Sequence, residues 1–121
     1  MDYNKVFEFF KEQYKIDLSD TEYYIFELVG RNGFYNPIED VVFVDCHINM
    51  INRELTFVHE LTHRMIHINS IETNDEEEYC KQVVLEYVKY EFNHIISCYL
   101  FCFYFYYFHC HFTFLLIFLR Y

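Results

Sequence analysis

The chain has 121 residues, a length that suits one compact domain with a core of moderate size. Its 19 acidic and 9 basic side chains give a net charge of −10 at pH 7. Such a balance argues against a nucleic-acid-binding surface, because phosphate contacts need clustered Lys and Arg. The five cysteines form no CxxC pair, and residues 1–5 do not begin a signal peptide. We therefore expect a cytoplasmic protein with free thiols and no direct nucleic-acid contacts.

The N-terminal part predicts one helix followed by a small sheet. Apolar residues recur at helical spacing over residues 3–15, namely Val6, Phe9, Phe10 and Tyr14. Residues 22–29 are aromatic and β-branched, which predicts a strand. Asn32-Gly33 is a strong hairpin signal and should turn the chain into a short return strand. Residues 41–44 predict a strand buried on both faces, so we expect a small antiparallel sheet.

Two further helices are predicted after the sheet. Asn52 is the expected N-cap of a helix that runs to about His67. A loop over residues 70–74 separates it from a third helix, and Thr73 and Glu76 have the spacing of a capping box at that helix start. The predicted fold class is therefore α+β, with an N-terminal helix, the sheet and two later helices.

The second helix carries the sequence His59-Glu60-Leu61-Thr62-His63. Side chains four residues apart project from one face of a helix, so the two histidines can bind one zinc ion. Glu60 then lies beside the metal, where its carboxylate can take a proton from zinc-bound water. The pattern predicts His59 and His63 as metal ligands and Glu60 as the catalytic base. The alternative is two surface histidines on an ordinary amphipathic helix.

A catalytic zinc site needs a third protein ligand, and the start of the third helix offers three carboxylates. Glu77 shares a helical stripe with Cys80, on the face that should pack against the motif helix. The order of preference is Glu77, then Glu76, then Glu78. Cys80 itself is expected to be a small buried apolar group, and nothing in the sequence requires it at the site.

The composition changes near residue 94. Residues 1–94 hold all 19 acidic residues, whereas residues 95–119 contain no charged residue and eleven aromatic ones. We therefore divide the chain into a domain over residues 1–94 and an apolar aromatic tail over residues 95–121. Three interpretations of the tail stay open: a membrane anchor that leaves the domain in the cytoplasm, an aberrant or frameshifted C-terminus, and a buried core helix.

The middle of the chain resembles the ImmA/IrrE-type metallopeptidases, a gluzincin-like family of bacteria, phages and mobile elements. The likeness lies in Gly33-Phe34-Tyr35, in the strand over residues 41–44, and above all in the motif helix from Phe57 to His67. The Glu-rich helix start over residues 76–84 continues it. The family has Ala where Cys80 stands here, and its C-terminal lobe is replaced by the aromatic tail.

This resemblance implies a zincin-like minimal core that binds Zn²⁺ through His59, His63 and Glu77 and hydrolyses peptide bonds with Glu60 as the base. The implied partner is a protein or peptide substrate, for example a helix-turn-helix repressor of a phage or mobile element. Two other functions are kept as alternatives. One is a zinc-binding regulatory module without turnover, and the other is a small tail-anchored membrane protein with a coincidental motif.

Overall fold

The computed structural model describes the backbone of residues 3–120 and the side chains of residues 3–109. Its elements in chain order are α1 (Tyr3–Tyr14), β1 (Glu22–Phe26), β2 (Gly33–Asn36), β3 (Val41–Asp45), α2 (Met50–Ile68) and α3 (Glu76–Arg120). The chain divides into two compact units, Met1–Tyr87 and Val88–Tyr121, with the division inside α3. The predicted α+β class is confirmed.

The three strands form one mixed sheet in the order β1-β3-β2. β1 pairs with β3 in parallel, with Glu22 opposite Val41, and β2 pairs with β3 in the antiparallel sense, with Gly33 opposite Val44. β3 is the most buried of the three strands, and this burial agrees with its central position, where a neighbouring strand pairs with it on each side.

The predicted hairpin between β1 and β2 is wrong, and the sheet is mixed rather than antiparallel. Gly30 takes the left-handed conformation with φ of 78°, and the chain then passes to the far side of β3. The connection is held to the end of β3, since the Asp45 amide donates to the Asn32 carbonyl at 2.7 Å. Burial of β3 between two strands therefore outweighs the local turn preference of Asn32-Gly33.

The first unit has a single apolar core between α1, the sheet, α2 and the first turns of α3. Its fully buried side chains come from every layer and include Phe9, Phe10, Val42, Phe57, Leu61, Met65 and Tyr87. Phe57 packs its ring against Tyr3, Phe7 and Tyr23. The Tyr14 hydroxyl donates to Glu86, which connects the end of α1 to α3. The motif helix is thus fixed by apolar contacts along its inner face.

A buried arginine adds a polar connection between α2 and the sheet. The Arg64 guanidinium donates two hydrogen bonds to the Asp40 carboxylate, at 2.8 and 3.0 Å. It also donates to Asp20 at 3.0 Å and to the Thr21 hydroxyl at 2.8 Å. Because the guanidinium is a rigid planar fork, these four bonds fix the rotation of α2 about its axis.

The helix starts differ slightly from those predicted. Asn49 rather than Asn52 caps α2, and its side chain accepts from the Asn52 amide at 2.8 Å. At the start of α3 the Asp75 carboxylate accepts from the Glu78 amide at 3.2 Å, so Asp75 takes the capping role assigned to Thr73. Both shifts concern the choice between neighbouring polar residues, which local propensity ranks almost equally.

The second unit is the continuation of α3, in which every side chain from Phe92 to His109 is exposed. Residues 103–108 are six consecutive aromatics, and at 100° per residue they lie on all sides of the helix. The interpretation as a buried core helix is therefore wrong for residues 95–109. No helix in the described part of the chain is both long and apolar enough to cross a membrane. The side chains of residues 110–119, which complete the predicted anchor, lie outside the described ones.

Candidate metal centre

His59 and His63 lie on the face of α2 that meets the start of α3, whereas Leu61 of the same motif points into the core. His59 and His63 are one turn apart and their ring centroids are 5.0 Å from each other. Both imidazoles are mostly buried, with side-chain exposures of 24% and 17%. Burial, followed by the neighbouring His63, lowers the pKa of His59 below its ordinary value. A neutral imidazole is the form that binds a metal ion.

Glu77, from the first turn of α3, brings its carboxylate to both histidines. One oxygen is 3.2 Å from Nε2 of His59, and the other is 3.0 Å from Nε2 of His63. The structure therefore brings together two imidazole nitrogens and one carboxylate, which are the donors of a catalytic His₂Glu zinc site. The preceding Asp75 cap fixes the helix start from which Glu77 projects.

Glu76 and Glu78 have other contacts. The Oε1 atom of Glu76 lies 2.7 Å from Nδ1 of His63, on the opposite side of the ring from Glu77. A carboxylate on Nδ1 holds the proton there and leaves Nε2 free to bind a metal. Glu78 instead accepts a hydrogen bond from Gln82 at 3.1 Å. Of the three candidate carboxylates, Glu77 contacts Nε2 of both histidines and Glu76 contacts Nδ1 of His63.

Glu60 is 8% exposed and lies between the metal-binding face and β2. Its carboxylate accepts a hydrogen bond from the backbone amide of Tyr35 on that strand. Burial raises the pKa of Glu60 to about 7, while the neighbouring His63 acts in the opposite direction. The carboxyl group is thus held in place at the edge of the sheet, next to the histidines.

Gly33 is a site residue that the sequence interpretation missed. A Cβ atom at this position would lie 2.4 Å from Cγ2 of Thr56 and 3.0 Å from Cγ of Glu60. The absence of a side chain at Gly33 therefore lets β2 approach Thr56 and Glu60 of α2 closely. The glycine itself is the sequence signal, but Asn32-Gly33 also fits a hairpin turn, and the two roles look alike in the sequence.

Cys80 also approaches the histidines. Its thiol sulfur and one ring nitrogen each of His59 and His63 all lie within 4.8 Å of one another. The side chain is fully buried. Burial raises the pKa of the Cys80 thiol to about 12, and the carboxylate of Glu77 acts in the same direction. Sequence reasoning expected a buried apolar group here, and the proximity to the histidines follows only from the packing of α3 on α2.

Tyr35 and His67 lie near the histidines but make different contacts. The Tyr35 hydroxyl donates to Asp40 at 2.8 Å, and burial raises its pKa to about 12. This hydroxyl therefore belongs to the buried Arg64 network. His67 lies with its ring centroid 6.1 Å from that of Tyr35 and lines the outer part of the site.

Two clefts meet at the motif, and His59 and Glu60 line both of them. The first has a volume of about 690 Å³ and is lined further by Leu55, Val84, Leu85 and Lys81, together with polar residues of α2 and the chain just before β2. The second, of about 630 Å³, contains His63, Glu76 and Glu77. The candidate centre is therefore open to ligands of the size of a short peptide segment.

Comparisons of this chain with protein-family models, curated proteins and solved structures find no match. The resemblance to the ImmA/IrrE-type peptidases stays a prediction that depends on the motif helix and the Glu-rich start of α3.

Proposed function

We propose that this protein is a zinc-dependent peptidase. The observation that carries the proposal is the placement of the Glu77 carboxylate, at 3.0 and 3.2 Å from the Nε2 atoms of both motif histidines. Two surface histidines on an amphipathic helix would not need a carboxylate from another helix aimed at both rings. The Glu76 contact to Nδ1 of His63 supports the same function, because zinc-binding histidines usually have such a partner.

The donor set fits zinc. His59, His63 and Glu77 supply two imidazole nitrogens and one carboxylate, which is the composition of known hydrolytic zinc sites. When bound, zinc supplies a Lewis acid that polarises the scissile carbonyl and lowers the pKa of water.

The residues of this protein have the remaining roles in the proposed reaction. The Glu60 carboxylate accepts a proton from the attacking water and delivers it to the leaving amine. The Tyr35 amide holds that carboxylate in position. Glu76 fixes the His63 ring.

The proposed substrate is a peptide segment of another protein. The apolar part of the first cleft, formed by Leu55, Val84 and Leu85, suits an apolar side chain next to the cleaved bond. From the family resemblance we propose a helix-turn-helix repressor as the natural substrate. We also propose that the reaction takes place in the cytoplasm, where the described cysteines, which are free thiols, stay reduced.

Substitution Glu60→Gln tests the catalytic proposal. We expect the variant to keep near-stoichiometric zinc, since Glu60 is not a ligand, and to lose about 10²- to 10⁴-fold in cleavage rate. The rate is measured with a quenched fluorescent peptide library and with a repressor encoded beside the gene. The exposed Glu8→Gln on α1 is the matched control and should cleave normally. Equal cleavage by wild type and Glu60→Gln would refute the mechanism.

Metal analysis separates the alternatives. Purified wild-type protein should contain about one zinc ion per chain, and absence of zinc would end the metal-dependent proposals. Zinc together with no cleavage in any assay would favour the zinc-binding module without turnover, a function that the closeness of Cys80 to the site also favours.

A further inference from the structure

We infer that Cys80 is a fourth protein ligand of the metal, so that the resting site is closed by donors of this chain. The inference rests on the proposed function, because it assumes a metal held by His59, His63 and Glu77. It deepens that function by stating how the site is regulated. A site with four protein donors binds no water until one donor leaves.

The distances agree with ligation by the thiol. The Cys80 sulfur and the two histidine nitrogens lie within 4.8 Å of one another. Zinc binds sulfur at about 2.3 Å and nitrogen at about 2.0–2.1 Å, so donors in a tetrahedral site are separated by roughly 3.6 Å. A rearrangement of about 1 Å would bring the sulfur and the two nitrogens to such separations.

The position of Cys80 in α3 supports the same conclusion. It follows Glu77 by three residues, so both donors face α2 from the same stripe of the helix. Core packing alone requires only a small apolar residue at this fully buried position. A thiol at this position adds a soft donor, and soft donors favour zinc over metals that prefer oxygen ligands. On ligation the metal replaces the thiol proton, and this proton is released to solvent.

The four donors differ in how easily they can leave. The Glu77 side chain is 63% exposed, whereas Cys80 is fully buried. Water or a substrate carbonyl can therefore displace Glu77 from the solvent side, and it cannot reach the sulfur in the same way. His59, His63 and Cys80 would then keep hold of the ion, and Glu77 would be the ligand that exchanges.

Cobalt substitution of the full-length protein tests this inference. Cobalt(II) bound by a thiolate gives an intense near-ultraviolet charge-transfer band, which nitrogen and oxygen donors do not produce. We expect this band in the wild type and in Cys46→Ser and Cys98→Ser, and its loss in Cys80→Ser. The zinc dissociation constant of Cys80→Ser should rise about 10- to 100-fold, an effect at least as large as the loss of an orienting partner.

X-ray absorption of the zinc-loaded wild type gives a measurement that does not depend on how any variant folds. One sulfur at about 2.3 Å is expected. A spectrum with only nitrogen and oxygen neighbours, or a cobalt band that survives in Cys80→Ser, would overturn the role of Cys80 while leaving the metal site in place. Failure of the wild type to bind either metal would overturn the proposed function itself, and this inference with it.

Discussion

Residues 3–87 and residues 88–109 are both rich in aromatic side chains, but they place them in different environments. In the first unit Phe9, Phe10 and Phe57 are fully buried. In the second unit Phe101, Phe103 and Phe105 are between 65% and 71% exposed. Both units are helical at these positions, so neither composition nor secondary structure accounts for the contrast.

The difference lies in the polar residues between the apolar ones. In α1 and α2 charged residues recur between the apolar positions, which leaves one apolar stripe that can face a core. Residues 95–109 contain no charged residue, so no face of that helix is marked as the inner one. The spacing of the charged residues therefore determines which face of a helix packs against the core. An apolar surface exposed on all sides is unusual for a monomeric protein.

A matched pair of Phe→Ala substitutions tests this contrast most directly. Phe57→Ala removes a fully buried ring that contacts three others and should lower the free energy of unfolding by about 3–5 kcal/mol. Phe103→Ala, at a side chain that is 65% exposed, should change it by less than about 0.5 kcal/mol. Urea denaturation followed by circular dichroism measures both. Similar losses for the two variants would mean that the second unit is packed in solution.

A smaller loss of stability is expected from a substitution at Gly33, where β2 approaches α2. Gly33→Ala should lower the free energy of unfolding by about 1–3 kcal/mol, because the added methyl group overlaps Thr56. Thr56→Ser removes the overlapping Cγ2 atom, so the double variant should recover part of the loss. A double-mutant cycle from thermal unfolding measures the coupling. Strictly additive effects would contradict the close approach described for Gly33.

The smallest effect concerns stability at acidic pH, which should originate in the first unit because 18 of the 19 acidic side chains lie in residues 1–87. Hydrogen bonding to Arg64 lowers the pKa of Asp40 below its ordinary value of 3.8. A lowered folded-state pKa stabilises the protein above pH 3.8, and this contribution is lost as the pH falls through the folded-state pKa.

Substitution Asp40→Asn should therefore lower the urea midpoint at pH 7, and the gap from the wild type should narrow below pH 3.8. The neighbouring exposed Glu39→Gln is the matched control and should leave the midpoint nearly unchanged. A gap that stays constant from pH 7 to pH 3 would show that the charge of Asp40 does not contribute.

Much of the fold could be predicted from periodicity. The spacing of Val6, Phe9 and Phe10 places α1, and the apolar run over residues 41–44 places the central strand. The strand order could not be predicted, because pairing of β3 with both neighbours is a tertiary preference that a local turn signal does not contain.

The candidate site shows the same limit. Helical spacing alone predicts three candidate site residues, namely His59, Glu60 and His63. The helical stripe shared with Cys80 favours Glu77 among the three adjacent carboxylates. The contact of Glu76 with Nδ1 of His63 and the approach of Gly33 to Thr56 depend on how two elements meet in space. No spacing within one element could indicate them.

The start of α3 has a consequence for the energetics of the whole first unit. Glu76, Glu77 and Cys80 lie within little more than one helical turn, and all three face the histidines of α2. With zinc bound as proposed, metal binding and docking of α3 would form a single equilibrium, in which each stabilises the other. At a free zinc concentration 100 times the dissociation constant, the docked state gains about 2.7 kcal/mol. Zinc availability would then set the free energy of unfolding of the first unit, as well as whether its site can act.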